Sequence, residues 1–229
     1  MFLAIDTATQ TASLALHDGE RVRVEVTWHS AGRHTRELMP QIVWMIAQAG
    51  GRMADVTGVA VSIGPGSFTG LRVGLAVAKG LALANDLPIV GVPTLDVIAH
   101  AHVAQRSPLV AVLQAGRGRL AAMRYARSAR RARSRCGWRA QGELVVTTAD
   151  QIGEDWDRPT WLCGELDAAE RAAIQTRLGD RVKLIDPAGS LRRAGYLAAL
   201  GWLRLQAGEM DNLDALQPIY ISTAGVAVP

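Results

Sequence analysis

The chain has 229 residues, 49% of them hydrophobic, and carries a formal net charge of +4. This length can bury a core, either as one large domain or as two halves of roughly 100 residues each. The apolar runs are shorter than the roughly 18 to 20 residues that cross a bilayer, the N-terminus MFLAIDT lacks a basic leader region, and the two cysteines form no C-x-x-C pair. The composition therefore predicts a cytosolic globular protein, and it argues against a membrane segment, a disulfide framework and a zinc site.

The first half of the chain alternates between strand and helix patterns. Three short apolar segments predict strands, and Asp18-Gly19 between the second and third is a strong hairpin signal. Apolar residues then recur at helical spacing, and Gly50-Gly51 predicts where that helix ends. In chain order the predicted elements are strands Phe2–Ile5, Thr11–Leu16 and Val22–Trp28, helix Thr35–Ala49, strand Val56–Ile63, helix Thr69–Asn85 and strand Pro88–Val92.

The second half repeats this succession more faintly. Its predicted elements are strands Leu109–Leu113, Leu120–Tyr125 and Glu143–Thr147, helix Thr148–Ile152, strand Thr160–Cys163, helix Ala168–Leu178, strand Val182–Ile185, helix Tyr196–Ala207 and an extended tail Leu216–Tyr220. Because three strands, a helix, a strand and a helix occur twice, the pattern predicts two related α/β halves. The predicted division places residues 1–107 in the first half and residues 108–229 in the second, with the boundary near Ser107-Pro108.

The segment Ser62 to Gly80, SIGPGSFTGLRVGLAVAKG, looks at first like a phosphate-binding loop leading into a helix. Its glycine spacing fits neither the P-loop, which needs Lys and Ser or Thr after the second Gly, nor the dinucleotide fingerprint. A glycine-rich turn before a helix still attracts anions weakly, through free N–H groups and the helix dipole. We favour the simpler interpretation, a strand-to-helix turn that needs a positive φ.

Small residues recur at every fourth position of the second helix, at Gly70, Gly74, Ala78 and Ala82. Such a strip lets another helix approach closely. The first helix could fill this groove within the chain, or a partner helix could pack there. Since the helix is apolar nearly all round, we expect a partner helix on the strip, with Leu38, Ile42 and Met45 of the first helix lining the same surface.

Several segments resemble the TsaB family, also called YeaZ. They are LAIDTATQTASLAL, RHTRELMPQI, GVAVSIGPGSFTGLRVGLAVAKGLALANDLPIVGVPTLDVIA and the terminal QPIYI, and they cover the first hundred residues densely and the rest thinly. The resemblance implies the duplicated α/β fold of actin, sugar kinases and Hsp70 (ASKHA). It also implies a subunit of the bacterial machinery that makes threonylcarbamoyladenosine at position 37 of tRNAs reading codons that begin with A.

The resemblance further implies particular partners. A family member pairs with the catalytic paralogue TsaD, the ATPase TsaE joins the pair, and tRNA binds to the assembled complex. Alone, the chain is expected to form a homodimer through the same surface. The residues expected at the partner interface are His34, Leu38, Gln41, Ile42, Met45, Phe68, Thr69, Gly70, Arg72, Val73, Gly74, Val77 and Ala78.

The same resemblance predicts a chain without chemistry of its own, because the residues that such chemistry needs are missing. The paralogue's metal-binding helix carries two histidines four residues apart, whereas this chain has His34 followed by Leu38. The turn after the first strand carries Ala8 where the superfold uses Gly to close on phosphates. We therefore expect no catalytic residue, no metal and no cofactor, and a vestigial nucleotide site at Asp6, Thr7 and Thr9. The alternative is an ATP- or metal-dependent enzyme of this superfold, either a kinase or a glycopeptidase-like hydrolase.

An arginine-rich stretch, ARSARRARSRCGWR, lies in the interval from Asp96 to Glu143, which has no acidic residue between its two ends. Such a one-signed segment favours a polyanion, and Arg130, Arg131 and Arg133 are candidate RNA contacts. A solvated hairpin tip is the other interpretation. An RNA-binding module that acts alone is disfavoured, because aromatic residues for base stacking do not alternate with the arginines.

Overall fold

The computed structural model describes residues 1–102, 104–105, 108–127, 137–221 and 227–228. Its first sheet has the strand order β3-β2-β1-β4-β5, in which β1 is antiparallel to β2 and parallel to β4. The strands are β1 (Phe2–Asp6), β2 (Thr11–His17), β3 (Val22–His29), β4 (Gly58–Gly64) and β5 (Ile89–Pro93). The hairpin predicted at Asp18-Gly19 is confirmed, since Asp18 Oδ1 accepts hydrogen bonds from the N–H groups of Glu20 and Arg21.

The second sheet has the order β10-β9-β6-β7-β8 and the same connectivity. Its strands are β6 (Leu109–Gln114), β7 (Leu120–Arg127), β8 (Trp138–Thr147), β9 (Thr160–Gly164) and β10 (Val182–Leu184). As in the first sheet, the first three strands are antiparallel neighbours and the next two add in parallel. The duplication predicted from the sequence is therefore confirmed. A two-residue pair, β11 (Tyr220–Ile221) with β12 (Ala227–Val228), follows near the C-terminus.

Five helices cover these sheets in the described part of the chain: α1 (His34–Gln48), α2 (Phe68–Asn85), α3 (Thr94–His100), α4 (Ala168–Leu178) and α5 (Ala194–Gln206). Side chains alternate across a strand, so β1 sends Leu3 and Ile5 toward α1 and α2, and Phe2 and Ala4 toward α5. The first sheet is thus buried on both faces. Helix α5 packs there although it lies beyond residue 108, and the division of the chain at residue 107 stays a prediction.

One local prediction was wrong, and one short helix was not predicted. The segment predicted as a helix at Thr148–Ile152 forms turns, with the Ile152 N–H bonded to the Thr148 carbonyl, and Gly153 follows at φ +81°. A right-handed helix cannot continue through that backbone conformation. The short helix α3 was not predicted, because its few residues follow Pro93 without a long periodic pattern. None of the described helices is long and apolar enough to cross a membrane.

Candidate functional site

The end of β1 places Asp6 in the cleft between the two sheets, where its carboxylate is completely buried. Its Oδ1 accepts hydrogen bonds from the Ala8 N–H and the Ser62 hydroxyl, each at 3.0 Å. Its Oδ2 accepts one from Arg192 Nε at 2.7 Å. Both carboxylate oxygens are therefore engaged within the chain, as burial of a charge requires.

Arg192 lies just before α5 and extends its guanidinium into the same cleft. Nη1 donates to Glu165 Oε1 at 2.6 Å, and Nη2 donates to Thr9 Oγ1 at 3.0 Å and to the Thr11 carbonyl at 2.7 Å. Burial alone lowers the pKa of Arg192, but the carboxylates of Asp6 and Glu165 outweigh it and hold that pKa above its usual value. We call Asp6, Thr9, Glu165 and Arg192 the cleft cluster.

The cleft cluster joins the two halves of the fold. Asp6 is the last residue of β1 and Thr9 lies in the β1–β2 turn of the first sheet, whereas Glu165 follows β9 of the second. The sequence analysis identified Asp6 and Thr9, but it did not identify Arg192. No local signal marks Arg192, because it lies 186 residues from Asp6 in the chain.

Glycines of the Ser62–Gly80 segment allow the β1–β2 turn to pack tightly against the start of α2. The Ala8 carbonyl accepts a hydrogen bond from the Ser67 N–H at 2.6 Å, and a Cβ on Gly66 would overlap that carbonyl. Gly64 has φ +113°, which confirms the prediction of a turn that needs a positive φ. Close approach to a backbone carbonyl therefore accounts for Gly64 and Gly66.

The small-residue strip of α2 faces the interior of the chain. The Thr7 hydroxyl donates to the Gly70 carbonyl at 2.7 Å, and a Cβ on Gly74 would overlap the Thr7 hydroxyl. Ala78 is fully buried in the core. The prediction that Gly70, Gly74 and Ala78 receive a partner helix is therefore wrong, because the first sheet and its β1–β2 turn already occupy that face.

Four predicted interface residues of α1 are also internal. His34, Leu38, Ile42 and Met45 are buried, since they form the stripe of the helix that packs on the sheet. They do not line an exposed surface, and that prediction was wrong for all four. Burial lowers the pKa of His34, the Thr9 backbone partly offsets this, and the buried Nδ1 has no hydrogen-bond partner. Across the described residues, no group of three or more His, Cys, Asp or Glu side chains could hold a metal.

The exposed apolar surface lies on the opposite side of the same two helices. Met39, Val43 and Trp44 of α1 and Phe68 and Leu83 of α2 are between 38% and 75% exposed. A groove of about 440 Å³ between the helices is lined by Thr35, Phe68, Thr69, Arg72, Val73, Ala76 and Val77. Of the residues predicted at the partner interface, Phe68, Thr69, Arg72, Val73 and Val77 line this groove, and Gln41 is half-buried on α1. We call this surface the outer helix face.

A larger cleft of about 890 Å³ opens beside the cleft cluster, and its lining includes Thr9, Ser67, Gln114, Glu165 and Tyr220. Its polar groups are mostly uncharged, and Glu165 already pairs with Arg192. Thr7 is the third residue of the predicted vestigial site. Its hydroxyl donates to the Gly70 carbonyl of α2, and the residue does not line this cleft. Arg130, Arg131 and Arg133 lie outside the described residues.

The two sheets of shared connectivity, with a cleft between them and an acidic residue at the end of β1, define an ASKHA-type protein. A hexokinase of the ROK type from Thermus thermophilus has this fold, with a TM-score of 0.52 at 9% identity over 90% of this chain and 99% of its own. A Pseudomonas aeruginosa structure described as similar to the peptidase YeaZ superposes with a TM-score of 0.78 at 24% identity, covering 96% of this chain and 99% of its own.

Sequence comparison narrows the class. The family model of TsaD, described as tRNA N6-adenosine threonylcarbamoyltransferase, matches residues 28–186. TsaB of Escherichia coli is 39% identical over 97 residues, and the match spans 42% of each chain. TsaB of Bacillus subtilis is 27% identical over 97% of this chain and 94% of its own. The chain therefore belongs to the TsaD family, and within it to the TsaB group, also called YeaZ.

Proposed function

We propose that this chain is the non-catalytic subunit of a cytoplasmic machinery that forms N6-threonylcarbamoyladenosine at position 37 of tRNAs reading ANN codons. Both curated relatives described above are named tRNA threonylcarbamoyladenosine biosynthesis protein TsaB. In this proposal the chain pairs with a TsaD-type catalytic paralogue, a TsaE-type ATPase joins them, and tRNA binds to the assembly.

The ion pair of Asp6 with Arg192 is the observation that carries the non-catalytic role. A carboxylate at the end of β1 would have to face a metal, a water or a phosphate to take part in chemistry. Here both oxygens of Asp6 accept hydrogen bonds from buried donors, and one of these donors is the Arg192 guanidinium. Freeing Asp6 would remove one of the two carboxylates that pair with the buried Arg192, and breaking such a buried pair costs about 3 to 5 kcal/mol.

The outer helix face supports the pairing role. Its groove is lined mainly by apolar residues of α2, and further apolar side chains are exposed on α1 and α2; exposed apolar surface of this kind is typical of an interaction site. Because the residues beneath it are fixed in the core, the surface needs little rearrangement to receive a partner. In the absence of TsaD, a second copy of the chain is the expected occupant.

Reconstitution tests this proposal. The purified chain, a TsaD-type subunit and a TsaE-type ATPase are mixed with tRNA, ATP and the threonylcarbamoyl donor, and each protein is omitted in turn. We expect modified tRNA only from the complete mixture, and no ATP hydrolysis by the chain alone. Metal-dependent turnover by the chain alone, abolished in Asp6→Ala, would instead establish the enzyme alternative.

A further inference from the structure

Three side chains form one cluster at the start of α2, on the rim of the outer helix face. The Arg72 guanidinium lies over the Phe68 ring, 4.3 Å from its centroid. Arg72 Nε donates a hydrogen bond to Tyr220 Oη at 3.1 Å, and the rings of Phe68 and Tyr220 are 5.0 Å apart. Arg72 is thereby held at two points although it is an exposed side chain.

Tyr220 reaches α2 through the C-terminal segment. The Ile219 N–H donates to the Ile63 carbonyl at 2.7 Å, and a Cβ on Gly64 would overlap the Ile219 carbonyl. These contacts fix the backbone beside the turn that starts α2. The segment therefore contributes one residue, Tyr220, to the orientation of a side chain on the groove.

Within the described part of the chain, no acidic side chain pairs with the cation at this position. Every Asp and Glu of the chain lies in the described part, and none of them forms an ion pair with Arg72 there. The bond to Tyr220 uses Nε alone, so the two terminal nitrogens remain available as a fork. Next to this fork, Val73, Ala76 and Val77 form the apolar floor of the groove.

We propose that Arg72 is a preorganised receptor for a carboxylate on the partner subunit, and that Phe68 and Tyr220 position it. The inference rests on the proposed function. It specifies the partner element as an amphipathic helix that places apolar side chains in the groove and one Asp or Glu against Arg72. A guanidinium binds a carboxylate through two parallel hydrogen bonds, and stacking on Phe68 lowers the entropy lost on binding.

The test measures the dissociation constant between this chain and a purified TsaD-type subunit by calorimetry, at low and at high salt. We expect Arg72→Ala to weaken pairing on the order of 30-fold, as for a charged contact that the partner desolvates, and Arg72→Lys on the order of 10-fold, since an ammonium cannot form the fork. Tyr220→Phe keeps the ring and removes the hydroxyl, so roughly a threefold loss is expected. Arg181→Ala, an exposed arginine of the second half, is the charge-matched control and should have no effect.

Salt gives an independent readout. Wild-type affinity should fall as salt screens the ion pair, and the affinity of Arg72→Ala should fall less. Equal affinity and equal salt dependence for wild type and Arg72→Ala would overturn this inference while leaving the pairing intact. Lower tRNA affinity of the assembled complex with unchanged subunit pairing would overturn it in favour of a phosphate contact. If wild-type chain fails to bind the TsaD-type subunit, the proposed function fails and this inference with it.

Discussion

The cleft cluster and the outer helix face place their side chains in opposite environments. In the cleft, charged side chains are buried and pair with one another, so their bonds are satisfied within the chain. On the outer helix face, apolar side chains are exposed, and Arg72 contacts Phe68 and Tyr220 but pairs with no acidic side chain among the described residues. The contrast indicates that the interior keeps the halves together, and that capacity for binding lies outside.

Breaking the cleft cluster should produce the largest effect. Arg192→Met retains length and apolar volume but leaves Asp6 buried without its cation, and we expect a loss of about 3 to 5 kcal/mol in the free energy of unfolding. Urea denaturation measures it. The control is Arg193→Met, because the neighbouring Arg193 pairs with Glu25 while half-exposed, and its loss should be about 1 kcal/mol or less. Equal losses in the two variants would show that the buried ion pair contributes no more to stability than the half-exposed one.

Substitutions of glycine on α2 test whether the small-residue strip packs in the interior of the chain. Gly74→Ala should destabilise the chain by about 1 to 3 kcal/mol, because the added methyl group overlaps the Thr7 hydroxyl. On the same helix, a Cβ on Gly80 meets no atom within 4 Å. Gly80→Ala should therefore stabilise by about 0.5 to 1 kcal/mol through helix propensity. Thermal unfolding of the pair distinguishes the two sites, and a neutral Gly74→Ala would contradict the internal packing of the strip.

A substitution on the outer helix face should affect association more than it affects the free energy of unfolding. Val43 is 59% exposed, so Val43→Asp should change the free energy of unfolding by only about 0.5 kcal/mol. Self-association and pairing with a TsaD-type subunit should weaken on the order of tenfold, since a charge enters an apolar contact. Val145→Asp introduces the same charge at a similarly exposed valine of β8 and should leave both associations intact. Sedimentation velocity measures the effect, and equal association for the two variants would count against this surface.

The sequence predicted the elements of this fold better than the direction in which they face. Periodicity located α1 and α2 within a residue or two and predicted the duplicated halves, because burial imposes these patterns locally. A helix apolar on most sides does not reveal which face meets the sheet, so Gly70 and Gly74 were assigned to the wrong surface. Arg192 could not be linked to Asp6, since contacts distant in sequence depend on how the halves pack.

The titration of His34, a buried residue of α1, should give the smallest effect. The His34 imidazole is buried near Asp6, Glu37 and Arg192, and burial lowers its pKa. A histidine whose pKa is lowered by folding is kept neutral in the folded state, so its contribution to stability is present above its unfolded pKa and is lost as pH falls below it. The free energy of unfolding of the wild type should therefore decrease between pH 8 and pH 5.5, and that of His34→Gln should decrease less.

His17 and His102 also have pKa values lowered by burial, so the variant removes only part of the slope. His29→Gln, at an exposed position, is the control. Parallel urea titrations at the two pH values measure the slopes, and an identical slope for wild type and His34→Gln would mean that His34 titrates alike in both states.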